Sequence, residues 1–200
     1  MSDFDEELRN TVVEESHPFE IELNVLVKVN HQLTVEGITK LEEDEIARTR
    51  DSLGLEDPDL VDSQVRWQQS FYVEMRRAAN HLAVVGLVTR LEHWIARFVR
   101  LNQLPVSSLC KNIKVLNDSL HEVGPVKESF FKDLVTVRDS VIHADSKAKW
   151  QHKRTREVAK HYRNGGELEV TEDQLKDAIS KAIEQVKWYD EKFTQARSKT

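Results

Sequence analysis

Apolar residues recur at helical period along most of this chain. Val84, Val88, Leu91, Ile95 and Phe98 follow spacings of 4, 3, 4 and 3, the stripe of an amphipathic helix. Leu109, Ile113, Leu116 and Leu120 repeat the pattern, as do Val126, Phe130, Leu134, Val137 and Val141. Leu175, Ile179, Ala182, Val186, Tyr189 and Phe193 form the longest stripe, behind Thr171-Glu172-Asp173-Gln174, which matches a capping box. Punctuation falls between the stripes. Pro105 closes the element running from Asp59, with Gly86 and Asn80-His81 as places for a bend. Ser107 or Ser108 can cap the next helix, Gly124 ends it, and Pro125 suits the start of the one after. Asn164-Gly165-Gly166 is a turn ahead of a brief strand at Glu167–Val170.

The front of the chain follows another rule. Ile21, Leu23, Val25, Val27 and Val29 share one parity, opposite Glu20, Glu22, Asn24 and Lys28. That alternation predicts a strand, with a second at Leu33–Val35. An acidic helix is expected over 38–53, ended by Gly54 and Asp57-Pro58-Asp59. The fold expected is mainly α: an antiparallel bundle of four to five helices with a small N-terminal β element. Residues 1–55 read as an acidic, strand-containing subdomain, and 56–200 as the bundle with a basic insertion at 144–166.

Charge sharpens that division. The net charge is −6, yet residues 1–60 carry 17 acids against 5 bases and residues 61–200 carry 18 against 24. The local field therefore says more about partners than the total does. No run approaches the roughly 18 apolar residues of a membrane span. The acidic start, Met1 to Glu7, is the reverse of a signal peptide's basic one. One cysteine, Cys110, precludes an intramolecular disulfide and fits a helix face beside Leu109 and Leu116. A cytoplasmic protein without membrane contact is expected.

Several chemistries lack their residues. Gly165-Gly166 has neither the glycine spacing nor the lysine of a phosphate loop, and no metal-binding Cys/His spacing or Gly-x-Ser-x-Gly elbow occurs. No cofactor or metal is expected. Three Arg-x4-His pairs do occur, Arg76/His81, Arg138/His143 and Arg156/His161. Fourteen arginines and eight histidines in 200 residues make about one such pair by chance, so context must choose. Only Arg138 sits on a well-patterned helix, is followed by a polar residue, and leads through Val141-Ile142 to a histidine at the expected helix end.

Val137-Arg138-Asp139-Ser140-Val141-Ile142-His143 resembles the signature of the HEPN superfamily, most closely over residues 126–145. The resemblance implies an α-helical bundle, commonly dimeric. It also implies metal-independent RNA cleavage of the kind found in toxin–antitoxin, abortive-infection and RNA-processing systems. Histidine titrates near neutrality and can move protons; arginine stays charged and grips phosphate oxygens. Arg138 and His143 are thus the expected catalytic pair, with Asp139 or Ser140 orienting the histidine or touching substrate. Asp139 stands where the family often has asparagine, and Asp145 where nucleotide-modified members carry tyrosine. Five residues on a helix turn the two side chains about 140° apart. A distorted last turn, or two chains pooling their pairs about a twofold axis, would bring them to one phosphate. The resemblance implies the second, a homodimer, with a protein antitoxin as a further partner. Lys147, Lys149, Lys153, Arg154 and Arg156 follow with Trp150 interleaved, a composition that suits RNA. Against this stands a plainer alternative: Arg138 pairing with Asp133, Asp139 or Asp145, His143 complementing a helix dipole, and the chain serving as a non-catalytic RNA- or protein-binding module.

Overall fold

The computed structural model describes residues 17–53, 58–142, 162–164 and 167–197. Among these, five helical rods account for most of the described residues. The first is α-helical over Pro18–Glu22, π-helical over Leu23–Val29 and α-helical over Asn30–Leu53; we call the whole run α1. Helix α2 spans Pro58–Leu101, α3 Leu109–Leu120, α4 Glu128–Ile142 and α5 Glu172–Arg197. A minimal antiparallel hairpin pairs β1 (Arg163–Asn164) with β2 (Glu167–Leu168) ahead of α5.

The second half of α2 is the wall on which the other helices pack. Leu87, Leu91 and Ile95 are fully buried against Phe19 and Leu23 of α1, Ile113 and Leu116 of α3, Phe131 and Leu134 of α4, and Leu175 and Tyr189 of α5. Every member of the stripe read on α5 is buried. Its capping box is formed as the sequence spells it: Gln174 N donates to Thr171 Oγ1 at 3.2 Å, and Thr171 N to Gln174 Oε1 at 2.8 Å. Tyr189 donates its buried hydroxyl to Asn117 Oδ1 at 2.7 Å, joining α5 to α3.

The N-terminal β element is corrected to helix. Pro18 occupies the first turn, where its missing N–H costs nothing, and His17 Nδ1 accepts the Phe19 N–H at 3.2 Å. The alternating series proves to be two interleaved four-residue repeats. Phe19, Leu23 and Val27 are buried, whereas Val25 and Val29 are 51% and 44% exposed. A four-residue repeat drifts about 40° per step on an α-helix, and the wider π turn at Leu23–Val29 takes that drift back. Leu33, expected in a second strand, lies exposed on the same helical run. The boundary expected at residue 55 falls between α1 and α2 and does not divide the core, which Phe19, Leu23 and Val27 share with the later helices.

The first half of α2 leaves the bundle. Between Pro58 and Ala79 it runs antiparallel to α1 as a two-helix arm with its own small cluster, Ile38, Tyr72 and Ala79. Polar pairs set its register: Gln68 Nε2 donates to Thr49 Oγ1 at 2.7 Å, Arg76 meets Glu42 at 2.5 Å, and the Tyr72 hydroxyl donates to Glu45. At the root of the arm Asn80 bonds His31 Nε2 at 2.6 Å and donates to the Val170 carbonyl at 2.7 Å. Neither Gly86 nor Asn80-His81 breaks the helix.

Helix ends also differ from expectation. Gln103 (φ 56°) follows α2 and His121 (φ 54°) caps α3, so Gly124 is not the terminator. It is instead where the backbone meets the fully buried Gln185, whose Oε1 accepts the Val126 N–H at 3.2 Å. A methyl group at Gly124 would overlap the Gln185 amide. Gly124→Ala is therefore expected to destabilise the fold by about 1–3 kcal/mol, read as a lower urea midpoint at unchanged slope.

Candidate functional site

Helix α4 carries the motif, and its packing decides which way each side chain faces. Phe131, Leu134 and Val137 are fully buried against α2, fixing the rotation of the helix. Arg138 is thereby placed at the seam between α4 and α2, with its side chain 17% exposed. Its Nη1 meets Glu92 Oε2 of α2 at 2.7 Å, while Nε and Nη2 both lie 3.0 Å from Asp139 Oδ1. Burial works against the guanidinium charge, but the two carboxylates outweigh it and hold its pKa above the usual arginine value.

The other expected residues divide. Asp139 shares the Arg138 guanidinium and remains 46% exposed at its side chain. Ser140 is buried, its hydroxyl donating at 2.7 Å to the Thr136 carbonyl of its own helix, so it faces away from Arg138's partners. Helix α4 is described as far as Ile142. His143 follows it directly in sequence and lies outside the described residues, as do Lys147, Lys149, Lys153, Arg154 and Arg156. Of the pairings expected for Arg138, that with Asp139 is formed. Glu92 was not foreseen: it stands 46 residues upstream, and only its place beside the Leu91–Ile95 stripe marks it as an edge residue of the core.

The rival Arg-x4-His pairs fare differently. Arg76 is committed to Glu42 in the arm. His81 is half-buried, and its Nε2 has no hydrogen-bond partner among the described residues. Burial, and secondarily the charge of Arg77, lower its pKa. The pair at Arg156/His161 lies outside the described residues. Cys110 is partly covered, and burial raises its thiol pKa, the opposite of a nucleophile's need. A cleft of about 600 Å³ opens at the start of α4, lined among others by Phe130, Asp133, Tyr162 and Asp177; it does not include Arg138. Among the described residues no cluster could hold a metal ion and no helix is long and apolar enough to cross a membrane.

Two outcomes test this geometry. A double-mutant cycle between Arg138→Met and Glu92→Gln is expected to give a coupling of about 1 kcal/mol, reduced from a buried pair's value by the partial exposure of Glu92. The second concerns His81. Above pH 6.5 it is neutral in both the folded and unfolded chain and costs nothing. As pH falls below that value the unfolded chain takes up the proton first, so stability declines toward the lower folded pKa. Urea unfolding of His81→Gln should accordingly show a shallower loss of stability below pH 6.5 than the wild type. Comparison with protein-family models, curated proteins and solved structures gives no match to this chain, so its function is argued from the chemistry of these residues.

Proposed function

We propose that this chain is a HEPN-like, metal-independent endoribonuclease that works as a homodimer, in a toxin–antitoxin or phage-defence setting where a protein antitoxin would restrain it. The observation that carries this reading is the placement of Arg138. It projects from the second half of α4, is held at the α2 seam by Glu92, and stands five residues before His143 in the sequence. A guanidinium held by a carboxylate from a second helix is pre-organised, and preorganisation is what electrostatic stabilisation of a phosphorane requires. In the reaction a ribose 2′-hydroxyl attacks the adjacent phosphorus as its proton passes to one His143. The phosphorane's charge falls to Arg138, and the departing 5′-oxygen takes a proton from the second chain's His143, leaving a 2′,3′-cyclic phosphate. The basic residues from Lys147 to Arg156 would track the RNA backbone.

One observation favours the alternative of a non-catalytic RNA- or protein-binding module. Two carboxylates against one guanidinium leave the cluster with a net negative charge, which opposes phosphate. The catalytic reading requires exposed Asp139 to swing aside when RNA arrives. Cleavage of a labelled single-stranded RNA in EDTA separates the two. The wild type should cut, His143→Ala should lose about 100-fold or more of the rate, and Asp139→Asn should cut several-fold faster by freeing the guanidinium. Salt-sensitive binding with no cleavage by wild type or Asp139→Asn would select the non-catalytic module.

A further inference from the structure

The arm formed by α1 and the first half of α2 has one apolar side that nothing in the chain's described residues covers. Leu33 and Leu41 of α1 are 60% and 56% exposed, and Trp67, Phe71 and Leu82 of α2 are 61%, 50% and 67% exposed. The rings of Trp67 and Phe71 lie stacked, 11° from parallel with centroids 6.0 Å apart, one helical turn from each other. Their common placement follows from helical geometry. The faces that meet inside the arm carry Ile38 and Thr49 on α1 and Gln68, Tyr72 and Ala79 on α2. At 100° per residue the five exposed side chains are rotated from those faces by about 60–150°, in the same sense on both helices. Two antiparallel helices are related by an axis perpendicular to the plane of the pair, so rotations of the same sense place both stripes on the same side of the arm.

We propose that this side docks against the same side of a second copy of the chain, two arms forming a four-helix bundle. Two observations select a second copy as the occupant. The five side chains, with Ala78 and Gly37 between them, offer about 600 Å² per chain and so about 1,200 Å² for a pair, the size at which specific interfaces begin. The charges on this side, Asp44, Arg48 and Glu74, are of both signs and Glu74 is already paired with Arg77 at 3.0 Å, so a twofold mate meets no uniform like-charge field. The axis runs along the arm. The same side of α2 continues past Leu82 to Glu92, about 15 Å further on, where Arg138 is held. A twofold parallel to the arm therefore sets both bundles at one end and turns the two Arg138 seams toward each other. This orientation rests on the two-chain ribonuclease reading; the interface itself does not.

Sedimentation of the full chain tests the interface. The wild type is expected at twice the 23.2 kDa chain mass at micromolar concentration. Trp67→Glu/Phe71→Glu should sediment as a monomer with wild-type helicity, because both residues are exposed on the single chain, and its melting temperature should no longer depend on protein concentration. Spin labels at Thr89→Cys in a Cys110→Ala background test the axis. An axis along the arm gives a label-to-label distance of about 30 Å or less, whereas head-to-tail arms centred on Phe71 give about 54 Å. A monomeric wild type, or a double variant that remains dimeric, overturns the interface, and the longer distance overturns the axis. A dimer of the expected geometry that leaves RNA intact upholds the interface while the ribonuclease reading falls; a cleaving monomer overturns the interface and the two-chain mechanism while leaving the nuclease activity.

Discussion

Helix α2 is longer than the core it serves, and the rest of the architecture adjusts to that excess. Forty-four residues make a rod of about 66 Å, against about 39 Å for α5 and 18 Å for α3. Only the half containing Val84 to Val99 meets the bundle. The half from Pro58 to Ala79 must find other cover, and α1 provides it on one face alone. Bundle and arm consequently cohere by different means. The bundle has a continuous aliphatic and aromatic core, whereas the arm has a three-residue cluster supplemented by side-chain hydrogen bonds at Thr49, Glu45 and Glu42. Burial scales with apolar area, so the bundle supplies most of the fold's stability and the arm is the less cohesive part.

The change of partner along α2 happens within about one turn, and polar groups mark it. Asn80 is the last contact of the arm and the first of the bundle, bonded at once to His31 of α1 and to the Val170 carbonyl ahead of α5. Six residues further along α2, Val27 of the π segment lies at ordinary contact distance, 3.8 Å, from where a β-carbon on Gly86 would stand. The π turn and Asn80 thus address one problem from two sides. Helix α1 must present Phe19, Leu23 and Val27 to the bundle and Ile38 to the arm without a break in its backbone.

Sequence pattern revealed α5 with its capping box and the stripe of α3, because each repeats over three or more turns; on α4 it found Leu134 and Val137, but Phe131 rather than Phe130 is fully buried and Val126 precedes the helix. It misled over residues 19–35. An apolar residue at every second position satisfies a strand and a four-residue helical repeat alike, and only burial shows that Val25 and Val29 are not core. Gly124 illustrates a second limit: a glycine after a helical stripe looks like a cap, yet here it accommodates Gln185, 61 residues away. The candidate site was half legible. Arg138 lies on the patterned helix as its motif suggested, and its neighbour Asp139 is local. Glu92 reaches it only through the packing of α4 on α2, which no local pattern encodes.

Glu92 also makes the candidate site a property of α2 rather than of the motif helix alone. The guanidinium is fixed relative to the rod that carries the arm, and the rod is continuous from Trp67 to Glu92. Whatever orients the arm therefore orients Arg138, with no hinge between them in the backbone hydrogen bonding of α2. Five residues along a regular helix turn a side chain by about 140°, so in the proposed reading Arg138 and His143 would meet one phosphate through a distorted last turn or through a second chain. In the dimer proposed above, the relation between the two seams would be set by packing at the arm and delivered to Arg138 along the continuous backbone of α2.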